Sequence, residues 1–81
     1  MTIQLIQGQF SAKDAVDIIT QMIHVKIKFQ ESKINNSSNE EDIKMREGRI
    51  KSLQKDLFNA RNHIEQQGGK IAIQSEIHLS K

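Results

Sequence analysis

The side chains best suited to acid–base chemistry in this chain are His24, His63 and His78, together with the carboxylate of Glu76. Glu76 and His78 are two residues apart, so on a strand they share a face, and a carboxylate beside an imidazole is a general acid–base pair. That face is wet, because Gln74 is its third member, and no further residue of a triad is evident from spacing. No two histidines are close enough in sequence to form a local ligand pair, and with no cysteine neither thiolate metal sites nor disulfides can form. Gly68-Gly69 follows a helical pattern instead of opening one, which is the wrong context for a phosphate-cradling loop. No Ser-His-Asp or Cys-His arrangement can be argued. The expectation is a chain with no catalytic residues, no cofactor and no metal.

Two features involve charge. Lys26 falls near the centre of an otherwise apolar helical arc. A desolvated lysine there would be a base or nucleophile. A stem packed on the helix with its ammonium in water, or paired with an acid of a second helix, is the favoured reading. The stretch "KMREGRIKSLQK" carries Lys44, Arg46, Arg49, Lys51 and Lys55 against Glu47 alone. Such a run can contact phosphates. At 100° per residue, however, Lys44, Lys51 and Lys55 fall on one side and Arg46 and Arg49 on another. There is no tyrosine or tryptophan for base stacking. A solvated helix face is therefore preferred, with nucleic-acid contact as the alternative.

These residues are held by four elements. "TIQLIQG" reads as a short strand, Thr2 to Gln7, ended by Gly8, with Ile6 on its outer face. Ser11 suits a helix N-cap and Asp14 supplies negative charge to the first turn. From Ala12 to about Ile34 the apolar residues share an arc of roughly 200°, wider than a surface helix needs. That helix must touch more than one neighbour, and its second half is expected to project beyond the core. "NNSSNEED" is a loop in which Ser38 and Glu41 match a capping box. A second helix from about Asn39 to Gln67 repeats Ile43, Ile50, Leu57 and Ile64 at intervals of seven, with Leu53 and Ala60 between, a narrow heptad seam interrupted by Arg46. Asp42/Arg46 and Glu47/Lys51 have the spacing of stabilising ion pairs. Phe58 lies off the seam and suggests a second contact near the sheet end. Gly68 ends the helix in a left-handed conformation. "IAIQSEIHL" then alternates Ile71, Ile73, Ile77 and Leu79 with polar residues, as a strand with one dry face.

The 81 residues fit one domain, and a domain this small has a thin margin of stability. Apolar residues are 36% and charged residues 27%, with a mild formal charge of +2 that neither demands nor forbids a polyanionic partner. No apolar run is long enough to span a bilayer, and "MTIQLIQGQF" lacks the basic-then-apolar pattern of a secretory signal, so a cytoplasmic location is expected.

The predicted fold is α+β, ordered strand-helix-helix-strand: a long antiparallel helical hairpin packed on a two-stranded antiparallel sheet and completed by dimerisation. This superficially resembles prefoldin-like chaperones, which also pair long helices with short strands. There the strands lie between the helices, whereas here they flank them, so the resemblance implies nothing further. The predicted role is a non-catalytic protein–protein interaction or assembly module. Its contact surfaces would be the strand edges, the hairpin tip at 35–42 and an apolar surface comprising Ile18, Met22, Val25, Lys26, Phe29 and Phe58.

Overall fold

A computed structural model describes residues 1–81. Its elements are β1 (Thr2–Phe10), α1 (Ala12–Asn35), α2 (Glu40–Gln67) and β2 (Ile71–His78). The two strands pair antiparallel in a two-stranded sheet, and the two helices pack on it, as the sequence predicts.

The helix boundaries follow from local chemistry. The Asp14 N–H donates to the Ser11 hydroxyl at 3.1 Å, which satisfies one of the free donors of the first turn of α1. The cap of α2 differs from expectation. Asn39, not Ser38, accepts from the Asp42 N–H, at 3.0 Å, while Ser37 accepts from the Asn39 N–H at 3.2 Å and so orients the cap. Asn39 and Ser38 are both good caps with an acid three residues on, and the asparagine side chain wins once Ser37 holds its backbone. At the other end Gly68 takes φ +67 and ψ 161. This is not the expected left-handed helical conformation but a region essentially reserved for glycine. Gly69 follows at φ +65, so two successive glycines turn the chain into β2.

β1 is longer than predicted and carries a β-bulge. Its register pairs Ile3 with Ile77 and Gln4 with Glu76, then skips Leu5 and resumes with Ile6 opposite Ser75, Gly8 opposite Ile73 and Phe10 opposite Ile71. Directly opposed residues point to the same side. Ile3, Ile6, Gly8 and Phe10 therefore share the dry face with Ile71, Ile73 and Ile77, which corrects the expectation that Ile6 points outward. One extra residue at Leu5 shifts the alternation by one place. The strand also continues through Gly8, which pairs with Ile73, and the Phe10 ring lies back over that glycine, 3.7 Å from where a Cβ would stand. Beyond the sheet, the Met1 ammonium donates to the Leu79 carbonyl at 2.9 Å and the Leu79 N–H donates to the Met1 carbonyl at 2.7 Å, extending the pairing to the chain start.

The Cα trace measures 47 × 32 × 13 Å. The long dimension matches the 28 residues of α2, about 42 Å at 1.5 Å each. A helical pair is only about 14 Å wide across its Cα atoms. The 32 Å dimension must therefore come from the strands, whose nine residues reach about 30 Å. The strands run crosswise to the helices and overhang them. The thin dimension holds one helix layer and one strand layer, with no room for a third.

This geometry leaves little interior. Only Ala15, Leu53 and Ile64 are buried. Leu53 and Ile64 belong to the predicted α2 seam, and Ala15 lies on α1 where the sheet crosses it. Arg46, the polar interruption of the seam, is half-buried. It bonds Asp42 through Nε at 3.1 Å and the Gln30 side chain of α1 through a terminal nitrogen at 2.8 Å. Glu47 and Lys51, which share the Asp42/Arg46 spacing, make no ion pair.

Candidate functional site

Two seams run along α1, with Ile19 between them facing the sheet. Val16, Thr20, Ile23, Ile27, Gln30 and Ile34 are spaced four and three apart and turn toward α2, as the Arg46–Gln30 bond and the 3.4 Å bond from Arg61 to the Thr20 hydroxyl show. Ala15, Ile18, Met22, Val25 and Phe29 form a second series spaced three and four apart, the repeat by which helices mesh along a seam. Its exposure rises along the helix. Ala15 is 0% exposed, Ile18 and Met22 are half-buried, and Val25 and Phe29 reach 68% and 55%. The first half lies under the sheet and the second half lies under nothing. The Lys33 ammonium stands 5.5 Å from the Phe29 ring centre and borders the open end.

The sheet has the complementary gap. Near the helices, Ile71 and Ile73 border a concavity shared with Ile19, Ala60 and Ile64. On the overhang Ile3, Ile77 and Leu79 are 37%, 37% and 53% exposed, and the bulged Leu5 is 48% exposed. These strand-end residues were not among the candidates drawn from the sequence. Alternation identified the dry face, but how far the helices cover it depends on the crossing angle.

The remaining candidates are dispersed. Phe58 is 64% exposed, so the second contact expected for it near the sheet end is not made within the protomer. Lys26 is exposed and lines an interhelical groove with Gln30, Arg49 and Ser52 over Leu53. Its ammonium is wet and makes no ion pair. Of the basic stretch, Lys44, Lys51 and Lys55 are exposed, Arg49 faces the groove, and Arg46 is committed to Asp42 and Gln30. The five do not form one surface.

Glu76 and His78 acquire a third member that spacing could not supply. The register sets Thr2 opposite His78, with its hydroxyl 3.1 Å from Nδ1, while Nε2 stands 3.5 Å from a Glu76 carboxylate oxygen. The order hydroxyl, imidazole, carboxylate is that of an activated nucleophile. All three residues lie exposed on the wet face, and none lines any of the concavities of the protein. The network can cross-link the strands but offers a substrate no walls. No group of three or more acidic or histidine side chains is placed to hold a metal ion. No helix is long and apolar enough to cross a membrane.

Compared with known protein families, curated proteins and solved structures, the chain finds no match.

Proposed function

We propose that this protein is a non-catalytic protein–protein interaction or assembly module that acts as a homo-oligomer, a dimer in the simplest case. One observation carries the reading: the protomer exposes far more surface than a folded chain of its mass. A monomer of 9.3 kDa is expected to expose about 5,000 Å². This one exposes 6415 Å². Its radius of gyration is 15.3 Å, against about 12 Å expected for its length. Large apolar side chains contribute to the excess at Val25, Phe29 and the strand ends. Sedimentation equilibrium tests the reading, with a mass of two or more chains expected at micromolar concentration. A mass of one chain up to about 100 μM, a concentration at which an assembly module with micromolar affinity would be saturated, would refute it.

The second reading is weak nucleic-acid binding. It is favoured by Lys44, Lys51 and Lys55, which lie exposed on one side of α2 and form no ion pair. Three phosphate contacts imply a shallow salt dependence, a slope of about −3 in log affinity against log salt for duplex DNA. A fluorescence-anisotropy titration with DNA and RNA at two salt concentrations tests it, and a signal indifferent to salt counts against it.

A further inference from the structure

We infer that a second copy of this chain covers the Val25–Phe29 end of α1, with the two α1 helices lying antiparallel beside each other and each overhanging sheet reaching across the other protomer's α1. The inference rests on the assembly reading above and assigns its surface.

The area needed is of the right size. Each protomer has a surplus of about 1,400 Å² over a compact chain of its mass, and a contact that hid this surplus on both copies would bury about 2,800 Å², within the range of permanent dimers. The protomer also has two vacancies of matching kind. The outer half of the second α1 seam lacks a strand layer, and the strand ends lack a helix layer. A two-fold axis near Met22 fills both at once. Antiparallel α1 helices then meet Met22 against Met22, and Ile18 against Val25 of the second copy. Phe29 comes level with Ala15 of the second copy, where the overhang carrying Ile3, Ile77 and Leu79 awaits a covering helix. The two-layer thickness of the protomer is kept in the pair.

Charge agrees with this register. Asp17 and Lys28 are eleven residues apart, so they project from nearly the same side of α1, and both are exposed and without ion pairs. They are equidistant from a point between Met22 and Ile23. An antiparallel partner sets Asp17 of each chain opposite Lys28 of the other, and a parallel partner would set like charges together.

The chain contains no cysteine, which makes the test direct. Met22→Cys places a thiol at the axis, and Phe58→Cys places one on an exposed site away from it. Under mild oxidation of the full chain, Met22→Cys is expected to form a covalent dimer, since facing positions of paired helices come within disulfide reach. Phe58→Cys is expected to remain single. In sedimentation, Phe29→Asp should raise the dimer dissociation constant at least 100-fold, and Phe58→Asp less than threefold. The assigned face is overturned, with the assembly reading intact, if the wild type sediments as two chains while Met22→Cys stays single, Phe58→Cys cross-links as readily, or Phe29→Asp remains dimeric. The last result is what pairing through the strand edges alone would give. A wild-type mass of one chain overturns both.

Discussion

Dilution should unfold this protein. With only Ala15, Leu53 and Ile64 buried, a free protomer has little interior to oppose the entropy of its chain. Folding and association should then be one step, from two unfolded chains to a folded pair. For such a step each tenfold dilution removes RT ln 10, about 1.4 kcal/mol per pair. The unfolding entropy of two such chains, at about 2.1 cal/mol/K per residue, is about 0.34 kcal/mol/K. The ratio is about 4 °C of melting temperature per decade of concentration, or about 8 °C between about 2 and about 200 μM. Circular dichroism at 222 nm in cells of different path length follows the melt across that range. Superimposable curves would refute the reasoning, because a protomer that melts at a fixed temperature is held together by its own contacts. A shift near the calculated slope would also give the stoichiometry, since a larger oligomer steepens it.

Two further measurements probe the interior and the caps. Ile64→Ala removes one of the three buried side chains and should cost about 2–5 kcal/mol in urea unfolding at fixed protein concentration, whereas Phe58→Ala should stay within about 0.5 kcal/mol. If the two cost the same, the burial pattern described for α2 is wrong. Asn39→Ala should cost about 1 kcal/mol and Ser38→Ala close to nothing, because only Asn39 accepts from the first turn of α2. The reverse order would restore Ser38 as the cap.

The sequence exposes most of the architecture and only part of the surface. Heptad spacing along α2 identified Leu53 and Ile64, and the alternation after Gly69 identified the dry face of β2. The breadth of the α1 arc showed that this helix needs more than one neighbour. Periodicity could not say where the sheet stops, so the arc singled out Val25 and Phe29 for contact together with Ile18 and Met22, although only the latter two are half-buried. The bulge was hidden for a related reason. Alternation is read by phase, and a phase shift at Leu5 makes an inward Ile6 look outward. Thr2 joined Glu76 and His78 only through the register that this shift creates. Ser38 and Asn39 are neighbouring caps with equal credentials, and a hydrogen bond from outside the pair decides between them.

The bulge has one more implication. Leu5 is the residue that β1 does not need for pairing, so a chain one residue shorter at that point would still bring Ile3, Ile6, Gly8 and Phe10 to a single side with every rung of the ladder occupied. A deletion further along the strand, at Gly8 for example, would use up the same spare residue but turn Ile6 and Gln7 to the opposite faces. Length can therefore vary harmlessly at one place in β1, and a shortened variant lacking Leu5 would be a straighter ribbon with less twist where it reaches past the helices.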